Sequence, residues 1–314
     1  MFVGHATLAF ALVGGVAVAR GRTAERALAL GVVAGAFAAL PDVDMLYALV
    51  GIAGAAGGDA LAVAGAFWST GNVVHRAVTH SLVLAPPVAL LAALHAADAR
   101  SARALSVTLG LALVAVVGVG GGALVTLAFV LGAAVVGTVA GRYAALTPLQ
   151  VLGAAVVGLG THPFGDLFTG EPPAMLYPVD AALVTDRVAL AADPTLHLLA
   201  AFGVELATVW AAVAVVCLAT GLRPTAAVSP RATLGAGYAA SVLLIPAPTL
   251  DLSYPFVFSV LGVGLLGLFP RVHLVGDPHG PTVEPLDWLG AALTGLSAIT
   301  VAWLAYTVAY VLVG

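Results

Sequence analysis

The sequence predicts an all-α, polytopic helical membrane protein with about ten transmembrane helices, and three observations carry that reading. Of the 314 residues, 61% are apolar and 8% charged, whereas an ordinary soluble domain carries about 25% charged residues. The mean hydropathy is +1.11. The stretch from Ala104 to Gly141 contains no charged residue, enough for two crossings at about 20 residues each. Backbone groups in lipid must be paired within a segment, and these runs lack the alternation of a membrane barrel. Helices are therefore expected throughout.

The apolar runs fall at 3–19, 27–40, 82–98, 104–119, 123–140, 144–161, 196–221, 232–250, 254–269 and 287–313. The first is followed, not preceded, by Arg20, Arg22 and Arg26, the reverse of a secretory signal's charge order, so it is expected to be a retained helix. In the second, Gly31 and Gly35 form a small-x-x-x-small pair that admits a neighbouring helix at close range. Pro41 tends to end that helix. Met45 to Gly57 and Ala60 to Trp68, broken by Gly57-Gly58-Asp59, read as a short hairpin or interfacial pieces. Glu205 lies about 13 Å into the seventh run at 1.5 Å per residue, and a carboxylate at that depth is a functional candidate. Asp193 and His197, at the start of the same run, read equally as partners of a site or as a solvated helix start. His273, Asp277, His279, Glu284 and Asp287 lie among glycines and prolines and read as an exposed loop.

All eleven basic residues are arginine and the net charge is -4. With no polybasic run, nucleic acid is not expected as a partner; the lipid bilayer is. Cys217 is the single cysteine, so neither an intramolecular disulfide nor a thiolate metal cluster is available. If the chain alternates sides at each crossing, nine of the eleven arginines fall on one side, leaving Arg76 and Arg187 opposite. By the positive-inside rule that first side is cytoplasmic. The non-cytoplasmic side then receives His5, Pro41-Asp42-Val43-Asp44, the segment His75 to Ser81, and Thr161 to Asp166.

Those four stretches hold the chain's chemistry. After Pro41 an extended segment would turn Asp42 and Asp44 the same way, toward one cation; alternatively Asp44 caps a helix beginning at Met45. Within His75-Arg76-Ala77-Val78-Thr79-His80-Ser81, a helical reading puts Arg76 and His80 on one face and His75 about 140° from His80. The two histidines would then serve neighbouring ions, or one would ligate and the other carry protons. His162 and Asp166, four residues apart, present an imidazole and a carboxylate on one helical face as ligands for Zn, Mn or Fe. Pro163 and Gly165 interrupt that face; the alternative reading has the pair straddle a helix start.

The histidine near the N-terminus, Pro-Asp-x-Asp after the second apolar run, His-Arg-x-x-Thr-His-Ser before the third and the later His-x-x-x-Asp together resemble the YdjM family of membrane-bound metal-dependent hydrolases. The resemblance covers about residues 1 to 180, and its most specific piece is His75 to Ser81. It implies a helical membrane enzyme in which His5, Asp42, Asp44, His75, His80, His162 and Asp166 hold one or two divalent metal ions. It also implies a distant similarity to all-helical zinc-dependent enzymes that cleave phosphoesters.

The expected organisation is thus a metal-binding, hydrolase-like membrane domain over 1–180 and further transmembrane helices over 181–314. The expected activity is hydrolysis of a phosphoester or lipid-linked substrate at the non-cytoplasmic face, with Arg76 and His75 as catalytic groups. Arg76 would clamp a phosphoryl group by two points or else brace Asp42 or Asp44. The alternatives are a divalent-cation transporter or sensor and a non-catalytic membrane protein. A transporter needs its ionisable groups at midmembrane on broken helices, whereas here they gather at helix ends.

Overall fold

The computed structural model describes residues 2–71, 76–117, 122–269, 272–273, 282–283 and 287–313. The described chain is helical, apart from a two-residue antiparallel pairing of Val272–His273 with Thr282–Val283. It divides into two compact units, Met1–Val188 with Ala207–Thr220, and Ala189–Leu206 with Gly221–Gly314.

The first unit contains α1 (Phe2–Ala19), α2 (Ala24–Ala39), α3 (Ala48–Gly54), α4 (Ala60–Gly71), α5 (Ala85–Ala96), α6 (Arg100–Val117), α7 (Ala123–Arg142) and α8 (Pro148–Gly165). Thr23 caps α2, and Thr147 with Gln150 forms a capping box on α8, with Pro148 in its first turn. The core is built largely of alanine around Phe37 and Phe129, while Leu12, Val32, Leu111 and Leu131 face outward. That distribution suits lipid, where hydrophobicity does not drive helices together and close packing of small residues does.

Gly31 and Gly35 fulfil the expectation placed on them. A Cβ at Gly31 would lie 2.8 Å from the Phe10 ring, and one at Gly35 would lie 2.9 Å from the carbonyl oxygen of Ala6. These contacts bring α1, and His5 with it, against α2.

Arg26 reaches across the unit, donating to the carbonyls of Ala144 and Ala145 and to Gln150 Oε1. The ends of α5 and α7 also meet there, at Ala96 and Gly141. Arg20, Arg22, Arg100, Arg103 and Arg142 belong to the same end of these alternating helices. The start of α1, the end of α2, the start of α5 and the end of α8 lie at the other end.

The second unit uses α9 (Pro194–Thr220) through Leu206, then α10 (Pro224–Ala227), α11 (Tyr254–Gly262) and α12 (Trp288–Val313). Its core joins Leu198, Leu199, Phe256, Val260, Ala302 and Tyr306, and Trp303 Nε1 donates to the Leu199 carbonyl at 2.8 Å.

The expected count of ten crossings is corrected. Six described helices are long and apolar enough to cross: Ala24–Gly54, Arg100–Val117, Ala123–Arg142, Pro148–Phe168, Pro194–Thr220 and Trp288–Val313. Val3–Ala19, Ala85–Ala96 and Tyr254–Leu268 are apolar but shorter. The run at 232–250 winds as a 14-residue 3-10 helix over Pro230–Leu243 and is not one of the six. The hairpin expectation for 45–68 holds, as α3 and α4 pair across Gly57 and Gly58.

Gly35→Leu is expected to force α1 away from α2, because the obstructing atom is backbone. Overpacking of this kind costs about 1–3 kcal/mol. The measurement is thermal unfolding of the purified protein in detergent, with Gly54→Leu, where nothing lies near the added Cβ, as the tolerated comparison.

Candidate metal centre

Helix ends deliver the site. Pro41 lacks the N–H that would continue α2, and the chain tightens into a 3-10 helix over Leu40–Tyr47. Asp42 and Asp44 therefore sit on a 3-10 turn, which corrects the extended reading. Asp44 does not cap a helix at Met45 either, since the 3-10 turn runs through it and α3 begins at Ala48.

The segment before α5 is a turn and not a straight helix. Arg76 adopts φ 69, the left-handed region that is uncommon for a residue with a side chain. A short 3-10 turn over Val78–His80 follows. The strained residue is held from both sides: its N–H points to Asp44 Oδ2 at 3.4 Å, and its carbonyl accepts from Ala174 N at 2.8 Å. His75 lies outside the described residues.

On the last helix, α8 continues through Pro163 to Gly165, and Asp166 begins a 3-10 turn. His162 and Asp166 thus end a helix and do not straddle the start of one. Gly165 has a positive role there: a Cβ would come 2.5 Å from the His5 ring. His5 stacks on His162 with ring centroids 3.9 Å apart.

Six of the seven expected ligand residues come together; the seventh is His75. Asp44, His80 and His162 are fully buried, His5 and Asp166 nearly so, and Asp42 is half-buried. Two His/Asp groups have ligand atoms within 4.8 Å of one another: His5, His162 and Asp166, and Asp42, His80 and His162.

Hydrogen bonding decides which way the rings present their lone pairs. His162 Nδ1 lies 2.6 Å from the carbonyl oxygen of Ala38. A carbonyl only accepts, so Nδ1 carries the proton and the neutral ring turns its Nε2 lone pair inward. That nitrogen stands 3.0 Å from His80 Nε2, 3.6 Å from Asp42 Oδ1 and 3.8 Å from Asp166 Oδ2. His80 Nε2 is 3.0 Å from Asp166 Oδ2, yet this buried oxygen accepts no hydrogen bond. Acceptors gathered in a buried place repel one another and are stable when a cation lies among them. The residues present therefore fit a divalent metal ion. The other carboxylate oxygen of Asp166 is occupied, accepting from His5 Nε2 at 3.1 Å with Arg76 Nη2 at 3.6 Å.

Arg76 braces the site. Its guanidinium donates to the carbonyls of Asp166, Thr169 and Glu171 at 3.3, 3.3 and 2.6 Å. The carboxylate it meets is that of Asp166, in place of the Asp42 or Asp44 expected. The loop it holds is tied again by Leu82 N to the Met175 carbonyl at 2.8 Å and by Ser81 Oγ to the Tyr177 carbonyl at 2.5 Å.

Asp193 and His197, in the second unit, have local partners: Asp193 caps α9 through Leu196 N, and His197 Nδ1 accepts from Leu190 N. Glu205 is half-buried within α9. Asp277, His279 and Glu284 lie outside the described residues.

Sequence reasoning passed over two groups. The Ala38 carbonyl has no side-chain signature at all. Thr79 was legible as a hydroxyl next to a candidate ligand, His80. Its Oγ1 donates to Asp44 Oδ2 at 2.7 Å and lies 2.8 Å from His80 Nδ1.

Gly165→Val is expected to displace His5 and weaken Asp166, lowering metal affinity about tenfold or more, in line with the loss of an outer-shell partner. Isothermal titration of the metal-free protein with Zn, alongside its unfolding temperature, checks this.

Among known proteins, a family model described as YdjM inner membrane protein matches residues 1–247. The match extends well beyond the first 180 residues, to which the motifs alone had confined the resemblance. No curated protein and no solved structure matches the chain.

Proposed function

The chain belongs to the YdjM inner membrane protein family, and from that premise we propose that it is a metal-dependent hydrolase cleaving a phosphoester or lipid-linked substrate at the non-cytoplasmic face. The observation that carries the reading is the convergence of His80 Nε2, His162 Nε2 and Asp42 Oδ1 beside the unsatisfied Asp166 Oδ2. A divalent ion bound there, with Zn, Mn or Fe suited to nitrogen and oxygen donors, would supply Lewis acidity and acidify a water.

The roles of the chain's own residues follow from their contacts. His162 turns a single nitrogen inward and so ligates one ion, with His80, Asp166 and Asp42 completing the set. His5 lies on the far oxygen of Asp166, where it would ligate a second ion or hold the carboxylate for the first. Arg76, with donors committed to Asp166, Thr169 and Glu171, positions Asp166 and the loop. His75 is retained as ligand or proton carrier on the strength of its motif.

The facing side rests on charge. Six arginines of the first unit share the end remote from the site, and Arg76 is at the site itself, which favours a non-cytoplasmic site. The ligands sit at helix ends, which supports hydrolysis over transport.

The decisive experiment measures metal content and phosphodiesterase activity on one preparation. The expectation is one or two ions per chain and metal-dependent turnover, both lost in Asp166→Asn. Metal-free protein, purified without chelator, would overturn the reading. Arg76→Lys keeps the charge but loses the planar fork; metal and rate should fall together, by about tenfold or more. Full metal with a lower rate would instead assign Arg76 to the substrate.

For orientation, single cysteines replace Thr185 or Ser101 in a Cys217→Ala background. An impermeant thiol reagent applied from outside the inner membrane is expected to label Thr185→Cys and not Ser101→Cys. The opposite pattern would place the site in the cytoplasm.

A further inference from the structure

We infer that Thr79 is a positioning residue, and that Asp44 acts through it on His80 instead of ligating the metal. The inference rests on the metal reading of the site. Asp44 is fully buried and its Oδ2 takes the Thr79 hydroxyl at 2.7 Å and the Arg76 N–H at 3.4 Å. A threonine hydroxyl has one proton, and an ionised carboxylate only accepts, so that proton lies toward Asp44. Thr79 Oγ1 must then accept at its other contact, 2.8 Å away, which makes His80 Nδ1 the donor. Asp44 Oδ2 itself is 3.5 Å from His80 Nδ1, too far for a direct hydrogen bond. The hydroxyl transmits the carboxylate's demand for a proton to the ring.

The consequence is at the opposite nitrogen. With Nδ1 committed to Thr79, His80 presents its Nε2 to His162 Nε2 and Asp166 Oδ2, each 3.0 Å away. His162 receives the same tautomer from the Ala38 carbonyl. Both inner histidines thus keep Nδ1 for an outer partner and leave Nε2 for an ion, one through a backbone carbonyl and one through the Asp44–Thr79 pair. Outer partners that fix a ligand histidine's tautomer are worth about 10- to 100-fold in metal affinity.

The test uses the full chain in detergent, stripped of metal. Nitrogen NMR with labelled histidine reads the His80 tautomer, identified by the signal missing in His80→Gln, and cobalt titration reads affinity and ligand field. The wild type should show His80 protonated at Nδ1. Thr79→Val should lose that preference and bind cobalt about 10- to 100-fold more weakly, and Thr79→Ser should restore both. Asp44→Asn, which keeps an acceptor for the hydroxyl, should lose far less cobalt affinity than Asp166→Asn. A His80 ring protonated at Nε2 in the wild type would overturn the inference, as would Thr79→Val retaining both tautomer and affinity, or Asp44→Asn losing cobalt as completely as Asp166→Asn. If Thr79→Val does not fold, Thr79→Ser and Asp44→Asn decide. If the wild type takes no cobalt, the metal reading fails, and the tautomer alone decides the relay.

Discussion

Carboxylates and imidazole lone pairs buried together, in a protein made mostly of alanine, glycine and branched aliphatics, are the constraint around which the first unit is organised. Each acceptor lost its water on burial and needs a donor or a cation in exchange. The structure supplies partners for the outward atoms: the Ala38 carbonyl accepts from one histidine, Thr79 contacts another, and His5 and Arg76 cover one oxygen of Asp166. The inward atoms face one another. A cation placed among them would relieve their repulsion, and the paired outer atoms keep the rings from turning away.

Helix ends are where such a centre can be built in a membrane protein. The last carbonyls of a helix have no intrahelical partner, so Ala38 is free to accept from an imidazole. Pro41 lies in the first turn of its 3-10 helix, where a missing N–H disrupts least, and Pro163 lies inside the last turn of α8, where it removes a helical hydrogen bond just before the helix ends. The positive φ at Arg76 costs about 1–3 kcal/mol, and the chain holds it with one hydrogen bond to Asp44 and another from Ala174. Close packing at Gly31 and Gly35 then fixes α1 tightly enough that a histidine on its first turn reaches a carboxylate 161 residues away.

Arg76 changes most between expectation and structure. A guanidinium next to candidate metal ligands suggests a hand for the substrate, but here its fork spans three loop carbonyls and the Asp166 carboxylate. The loop after α8 and the segment before α5 are thereby one structural piece, joined again through Ser81 and Leu82.

The sequence by itself determined the helical membrane class, because charge is scarce and the apolar runs lack a barrel's alternation, which leaves helices to satisfy the backbone in lipid. It also singled out His5, Asp42, Asp44, His80, His162 and Asp166, which the structure brings together, because ionisable groups are expensive in such a chain and stand out wherever they occur. The i,i+4 spacing of His162 and Asp166 was readable for the same reason that any helical face is: the geometry is local. Tertiary structure alone decided the number of full-length spans, since an apolar run at 232–250 does not announce that it will wind as a 3-10 helix. It alone decided that Asp42 and Asp44 sit on a tight turn with different partners, and that Gly165 makes room for His5 where the sequence suggested only a break. It also decided that a backbone carbonyl orients His162. Each depends on atoms brought together from distant positions, and backbone carbonyls, identical at every residue, leave no trace in the sequence of which one will be used.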